Sequence, residues 1–272
     1  MSIAYACAVS HAPGIVAWAD RAPIDQRNAL YGGFDKLRSE IAAAKLDQII
    51  LFTSEHWANF FLDHISAFCI GRGAHFKGPI EPWLKIQGAR IPGAPDLANE
   101  ILEQCYANGI EPGFTDELAF DHGTMIPLHL LTPDLSTPVV PIVFNTLASP
   151  QPSAARSAAL GRIVGDVARQ SNLRIGLIAT GGMSHDPGEQ RHGYIDEEFD
   201  QAFLRQMAQG QLDQLTAYST TQFLAAGAGA VELLGWIALA GALRKFSGKV
   251  VAYEPVRQWA TGIGLMSLFE AA

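Results

Sequence analysis

Three apolar runs of strand length constrain this chain more than any other feature, and a histidine follows each of them. The runs are IAYACAV at Ile3–Val9, QIILFT at residues 48–53 and LRIGLIAT at residues 173–180. An uninterrupted apolar run is typical of a strand that is buried on both faces of a sheet. Because helix-like segments separate the runs, the sequence predicts an α/β fold: one domain over residues 1–272 with a mixed, largely covered β-sheet flanked by helices.

The remaining segments extend this pattern. Apolar residues at spacings of three and four predict helices over residues 23–44, 96–108 and 153–170, and a helical region from about residue 197. Further strands are predicted at residues 64–70, 138–144, 249–254 and 262–268. Residues 71–93 are rich in glycine and proline and are predicted to form a loop.

Composition excludes several classes of protein. With 49% apolar and 17% charged residues, the chain can bury a large core. Its net charge is −8 and it has no basic cluster, so we expect no nucleic-acid partner. No apolar run approaches the roughly 20 residues that span a bilayer, and no basic leader precedes the first strand. The three separated cysteines, Cys7, Cys69 and Cys105, predict buried thiols in a reducing cytoplasm.

The histidines behind the apolar runs are His11, His56 and His185. In a covered α/β sheet, residues just past the carboxyl ends of the strands converge on the crevice where ligands bind. One such histidine is often only a buried imidazole bonded to a carbonyl group. Three in the same setting favour a functional site, and imidazole is a common ligand of iron, copper and zinc.

Glu232 is the candidate carboxylate for such a site, because it lies between Val231 and Leu233 at the start of an apolar helix. An ionised carboxylate there needs a partner, since burial without one is costly. Two imidazoles and one carboxylate form a set that suits Fe(II) and leaves coordination positions open. The alternative is an ordinary glutamate that the helix dipole favours near a helix start.

Other motifs are weaker. Asp121-His122-Gly123 precedes a helix-like segment, and His122 is as compatible with a structural as with a catalytic role. The glycines after residue 180 lack the lysine of a P-loop, and no Gly-x-Ser-x-Gly elbow is present, so nucleotide binding and the usual α/β-hydrolase are not expected. The remaining histidines are expected to be ordinary surface or core residues: His64, His75, His129 and His192.

Taken in order, the motifs resemble those of the class III extradiol ring-cleavage dioxygenases, in particular the catalytic β subunit of protocatechuate 4,5-dioxygenase, over residues 5–266. The segments that carry the resemblance are SHAP at 10–13, residues 55–61, DHG at 121–123 with IPL at 126–128, TGGMSH at 180–185, EEFD at 197–200 and VEL at 231–233 with Trp236 and GAL at 241–243. The segment EPVRQWATGIG at 254–264 is more similar to the stand-alone 2,3-dihydroxyphenylpropionate enzymes of the same superfamily.

The resemblance implies a role for each matching position. His11, His56 and Glu232 match the ligands of Fe(II), His185 matches the catalytic acid and base, and His122 matches a second active-site histidine. Thr261 falls at a position that contacts the substrate. The implied partners are a catecholic substrate, O₂, and either further copies of the chain or a small α subunit.

The residues themselves are also compatible with two other functions. A zinc hydrolase could use the same three ligands to activate water, and a non-enzymatic metal-binding protein could share the fold. The substrate is also open among protocatechuate or gallate, a catechol with a propionate-type side chain, and a dihydroxypyridine. Arg257 would suit a substrate carboxylate if it faces the cavity, and is otherwise a surface arginine.

Overall fold

The computed structural model describes residues 3–188 and 190–271. Its strands are β1 Ile3–Val9, β2 Gln48–Ser54, β3 Phe68–Gly71, β4 His75–Gly78, β5 Ala89–Pro92, β6 Gly113–Thr115, β7 Val139–Phe144, β8 Ile175–Thr180, β9 Phe246–Val256 and β10 Thr261–Glu270. Its α-helices are α1 Gly14–Ala17, α2 Ile24–Ala44, α3 Pro95–Ala107, α4 His122–Leu131, α5 Ala154–Gln170, α6 Glu197–Ala208, α7 Leu212–Thr216, α8 Thr220–Ala226 and α9 Leu233–Ala242. Most predicted elements are confirmed to within a few residues.

Eight strands form one mixed sheet in the order β6-β3-β7-β2-β8-β1-β10-β9. The central strands β7, β2, β8 and β1 are parallel, whereas β10 runs antiparallel to β1. The predicted fold class is therefore confirmed. Because β2, β8 and β1 are adjacent and parallel, their carboxyl ends, and the start of β10, meet at one edge of the sheet.

Both faces of the sheet are covered, and the strand residues alternate between two cores. Ala6 and Ala8 of β1 pack into the core beneath α3, α5 and α9, whereas Cys7 and Val9 pack into the core beneath α2 and α4. This alternation explains why the strands carry no polar face in the sequence.

Close packing of α5 on α9 holds the segment that carries Glu232. A Cβ atom at Gly161 would lie 1.8 Å from the carbonyl oxygen of Ala238, and one at Gly165 would lie 2.1 Å from that of Ala242. The two helices therefore approach backbone to backbone. Glu232 directly precedes α9, so it lies at the end of this closely packed helix.

The structure departs from the prediction in residues 64–93. The strand predicted at 64–70 begins only at Phe68, and the predicted loop at 71–93 contains β4 and β5, which pair with each other. Phe76 and Ile91 are fully buried between these strands. In strands of four residues, apolar and polar side chains alternate too few times for a periodic pattern to be recognised in the sequence. Strand β6 was not predicted either. Within the described residues, no helix combines the length and apolar character needed to cross a bilayer.

Candidate metal centre and active-site cavity

The three histidines that follow apolar strands meet at one edge of the sheet. His11 lies two residues after β1, His56 two residues after β2, and His185 five residues after β8. The rings of His11 and His56 are 4.9 Å apart between centroids. Adjacency of the three strands, which the sequence cannot display, is what brings these side chains together.

The protonation of His11 follows from its neighbours. Its Nδ1 is bonded to Thr180 Oγ1, and that hydroxyl donates to the carbonyl oxygen of Gly123 at 2.9 Å. Because a carbonyl only accepts, the hydroxyl proton is committed to Gly123, and His11 Nδ1 must donate to Thr180. Burial also lowers the pKa of His11, which keeps the imidazole neutral. Its Nε2 therefore presents a lone pair.

His56 is oriented in the same manner by a carboxylate. Its Nδ1 is 2.9 Å from Oδ2 of Asp121, a buried residue whose other oxygen caps α4 by accepting from the backbone N–H of Thr124. Burial alone would raise the pKa of Asp121, but the adjacent His56 lowers it, so this carboxyl is ionised. A carboxylate behind an imidazole fixes the ring and makes its far nitrogen a better ligand.

Glu232 is the acidic residue at the centre of this cluster. It lies in the 3-10 turn Ala228–Glu232, is only 5% exposed, and its Oε2 accepts from the backbone N–H of Gly182 at 2.6 Å. Burial would raise the pKa of the Glu232 carboxyl, but attraction to His11 and His185 holds it well below its usual value. The Glu232 carboxylate oxygens lie 2.9 Å from His11 Nε2 and 3.4 Å from His56 Nε2.

These distances fit a divalent cation between the groups. Although His11 Nε2 is 2.9 Å from a carboxylate oxygen, it makes no hydrogen bond and is buried. Two acceptors that face each other this closely repel unless a cation lies between them. Two ligand atoms at about 2.1 Å from one first-row metal ion, at a right angle, are about 3 Å apart, which is the separation found here.

A second ligand set is also available at this position. Ligand nitrogens of His11, His56 and His122 lie within 4.8 Å of one another, so three imidazoles could hold a metal ion. His122 begins α4, and its Nδ1 is 2.6 Å from Oε1 of Glu81, with the ring 4.2 Å from that of His56 between centroids. The sequence left open whether His122 is structural or catalytic. The structure places it next to the other imidazoles.

His185 lies on the other side of Glu232, with its Nε2 3.6 Å from a carboxylate oxygen. Its Nδ1 donates to the carbonyl oxygen of Met183 at 2.8 Å, so in the neutral ring Nε2 is free to accept a proton. Burial would lower the pKa of His185, but the Glu232 carboxylate raises it. A Cβ atom at Gly229 would lie 2.0 Å from this ring, so the ring fits only against glycine.

A buried carboxylate holds the loop in front of His185. Asp200, in α6, accepts from the backbone N–H and the hydroxyl of Ser184, both at 2.8 Å, and from the hydroxyl of Tyr253 at 2.8 Å. Burial raises the pKa of Asp200 to about 6. The hydrogen bonds from Ser184 to Asp200 therefore join the 197–200 segment to the loop that carries His185.

A cavity of about 720 Å³ opens over the cluster. Thr261 lines it and pairs with His185 through a single antiparallel bridge, while the Thr261 hydroxyl donates to the carbonyl oxygen of Trp259. The cavity is thus placed where the predicted site residues meet. Its remaining walls include aromatic side chains that the sequence analysis did not identify: Trp18, Trp57 and Trp259.

The structure locates two further residues that the sequence analysis discussed. His192 is exposed, as expected of an ordinary surface residue, and it also borders the cavity. Arg257, considered for a substrate carboxylate, lies at the surface outside the cavity and pairs with Glu197 at 3.3 Å. In its place, Arg21 lines the cavity. No sequence signal marks Arg21, because its segment has no periodicity and lies far in the chain from the other cavity residues.

The chain is similar to known proteins over most of its length. Residues 5–264 match the family model described as the catalytic LigB subunit of aromatic ring-opening dioxygenase. The chain is 25% identical to a 2,3-dihydroxyphenylpropionate/2,3-dihydroxicinnamic acid 1,2-dioxygenase of Rhodococcus globerulus, over 89% of this chain and 91% of the relative. The enzyme of the same name from Burkholderia vietnamiensis is 27% identical over 94% of this chain and 91% of its own length.

Among solved structures, the fold is similar to that of an uncharacterized protein from Escherichia coli K12. The TM-score is 0.57, with 16% sequence identity, and the match covers 86% of this chain and 91% of the other. This likeness supports the architecture.

Proposed function

Because this chain belongs to the LigB family of aromatic ring-opening dioxygenases, we propose that it uses Fe(II), held by His11, His56 and Glu232, to open a substituted catechol. As an extradiol dioxygenase, it acts on a catecholic ring and O₂. The finer proposal concerns the ion, its ligands and the substrate. One observation carries it: the Nε2 lone pair of buried His11 faces an ionised carboxylate at 2.9 Å without a hydrogen bond.

The donor set favours iron with vacant positions. Two imidazoles and one carboxylate would suit Fe(II), and Glu232 supplies the carboxylate where His122 would supply only a third imidazole. An Fe(II) ion held by these residues would supply open coordination positions for catechol and O₂ and would lower the pKa of the catechol hydroxyls. His122 is then free for contacts to substrate or oxygen.

His185 acts as base and later as acid in this proposal. Its Nδ1 is committed to Met183, so its Nε2 takes the proton from a catechol hydroxyl and returns it as the ring opens. The ring packs against Gly182 and Gly229, where an added Cβ atom would lie 2.4 Å and 2.0 Å from it, so side chains at these positions would displace it. A fixed imidazole at the reacting oxygen avoids the reorganisation that solvent would require.

His122 stabilises negative charge that develops on oxygen. Glu81 accepts from its Nδ1 and thereby orients the ring against His56, next to the ligand cluster. With Nδ1 donating to Glu81, the ring can also donate from Nε2 only as an imidazolium, and a fixed imidazolium beside the reacting oxygen stabilises negative charge without the reorganisation that water requires. Thr261 borders the same space and serves as a substrate contact. The product of the overall reaction is an open-chain semialdehyde when the cleaved bond joins a hydroxylated carbon to an unsubstituted one, and an open-chain keto acid when the second carbon carries the side chain.

The relatives' names indicate the class of substrate. They are named for 2,3-dihydroxyphenylpropionate and the corresponding cinnamic acid, and a cavity of about 720 Å³ accommodates a catechol with such a side chain. We therefore propose a catechol with a propionate-type side chain ahead of protocatechuate, gallate or a dihydroxypyridine.

The test is anaerobic loading with Fe(II), and separately with Zn(II), followed by O₂ uptake and formation of yellow product on these substrates. We expect turnover with Fe(II) alone. Glu232→Ala should lose bound iron, measured by elemental analysis, while the surface variant Glu197→Ala keeps it. Wild-type iron content in Glu232→Ala, with iron lost instead in His122→Ala, would favour the three-histidine set. Iron-loaded protein that consumes no O₂ with any catechol would overturn the function.

The remaining predictions are kept as proposals. We propose that residues 1–272 act as one catalytic domain in the cytoplasm, where the free cysteines Cys7, Cys69 and Cys105 would stay reduced. A homo-oligomer or an assembly with a small α subunit is expected from the resemblance. Light scattering on the purified chain distinguishes these two by the mass it reports.

A further inference from the structure

Arg21 provides a positive charge at the active-site cavity, and nothing in the catalytic scheme uses it. We propose that Arg21 is the specificity-determining residue that binds the anionic end of the substrate's side chain. This inference rests on the proposed ring-opening function and deepens it by assigning the group that recognises the substituent. It also replaces Arg257, whose guanidinium is engaged with Glu197 at the surface.

The charge distribution of the cavity supports this role. Of the described residues that line it, Arg21 is the sole arginine or lysine and Glu232 the sole acidic residue. Glu232 is committed to the imidazole cluster and to the backbone N–H of Gly182. Within the described part of the chain, no carboxylate lies within ion-pair distance of Arg21. Its guanidinium is therefore available to an anionic ligand, which it can bind through two parallel hydrogen bonds.

Arg21 is carried on an ordered platform. Its guanidinium carbon lies 5.5 Å from the centroid of the Trp18 ring, a cation–π contact. The backbone beneath is anchored, because the Trp18 carbonyl accepts from the indole N–H of Trp259 at 3.0 Å and the Ala17 carbonyl accepts from Lys85 at 3.2 Å. An arginine restrained before binding loses less conformational entropy when a ligand arrives.

An aromatic wall connects this platform to the metal centre. Trp18 stacks on Trp83 with 5.5 Å between centroids and 10° between planes, and Trp83 lies 5.9 Å from the ring of His122. His122 in turn contacts His56. Two indole rings thus separate Arg21 from the imidazoles. Because Arg21, His56 and His122 line the same cavity, a catechol bound at the imidazoles has its side chain in the space that Arg21 borders.

The kinetic test compares Arg21→Gln with the matched surface variant Arg257→Gln. Substrates are 2,3-dihydroxyphenylpropionate, the uncharged 3-propylcatechol of similar shape, and protocatechuate. For Arg21→Gln we expect KM for dihydroxyphenylpropionate to rise roughly 10- to 100-fold, from the usual strength of charge-assisted hydrogen bonds, with kcat within about twofold. KM for 3-propylcatechol should stay unchanged, Arg257→Gln should behave as wild type, and Arg21→Lys should recover part of the loss.

A binding test is independent of iron and turnover. The probe is 3-phenylpropionate, which has the side chain without the diol, titrated into metal-free protein by calorimetry. We expect Arg21→Gln to weaken its binding by a similar roughly 10- to 100-fold, with no change in Arg257→Gln. Equal effects on charged and uncharged substrates, or unchanged binding of the probe, would overturn the proposal for Arg21. Absence of ring opening by the wild-type enzyme would instead overturn the catalytic function, while the probe titration still reports on Arg21.

Discussion

The two ends of the cavity are built on different principles. At the inner end, each imidazole donates through Nδ1 to a partner in the protein: Thr180, Asp121, Glu81 or Met183. At the outer end, Arg21 and Trp57 are exposed and the contacts are mainly between rings. The inner end is held by the sheet and by buried hydrogen bonds, so its geometry leaves little freedom. We therefore expect substitutions at the outer end to leave the metal centre intact.

This contrast predicts that mutations at the two ends of the cavity should change different properties of the enzyme. Changes at the inner end should affect metal binding and the chemical step for every substrate. Changes at the outer end should affect KM for some substrates and leave kcat and metal content intact. Three further experiments test that division, in order of decreasing expected effect.

The largest effect is expected for His185→Ala. Removing the Nε2 that takes and returns the proton should lower kcat by about 10²- to 10⁴-fold, because general acid–base catalysis contributes on that scale. Iron content should stay at the wild-type level, since His185 is not among the proposed ligands. His75→Ala, in the exposed part of β4, is the control and should change neither quantity. Turnover at the wild-type rate in His185→Ala would remove this residue from the mechanism.

An intermediate effect is expected for Asp121→Asn. The amide can no longer accept as a charged partner from His56 Nδ1, so the ring loses its orientation and ligand basicity. Iron affinity should fall roughly 10- to 100-fold, as is usual for outer carboxylates of metal-bound histidines. Competition with a chelator measures this change. Asp116→Asn, which breaks a surface pair with Arg72, is the control. Unaltered affinity in Asp121→Asn would mean that His56 needs no such support.

The smallest effect is expected for Trp18→Leu at the outer end. Loss of the cation–π contact under Arg21 should raise KM for an anionic substrate about two- to fivefold, the size expected at an exposed site. Metal content and kcat should not change. Phe114→Leu removes a comparable contact with Arg72 away from the cavity and should leave KM unaffected. A loss of iron in Trp18→Leu would contradict the separation of the two ends.

Prediction from the sequence succeeded where burial determines the residue pattern. Strands β1, β2 and β8 are buried on both faces, so their apolar runs were recognisable, and the histidines after them marked the sheet edge. Glu232 was recognisable because a carboxylate next to an apolar helix is costly to bury. The short paired strands β4 and β5 were missed, since each has only four residues and lies among glycines and prolines.

The outer cavity could not be predicted in the same way. Arg21, Trp18 and His192 lie in segments without periodicity, and their meeting depends on how loops pack over the sheet. For Arg257 the sequence left a cavity position and a surface position open, and the structure shows the surface position, with its guanidinium 3.3 Å from Glu197.

The sequence by itself determined the covered α/β sheet and the histidines and carboxylate at its edge, because burial imposes a local pattern that can be read along the chain. Only the tertiary structure decided that β1, β8 and β2 are neighbours, that Asp121 and Thr180 orient the imidazoles, and that Arg21 rather than Arg257 reaches the cavity. These features depend on distances between remote segments, which strand order and loop packing set and which leave no periodic trace in the chain.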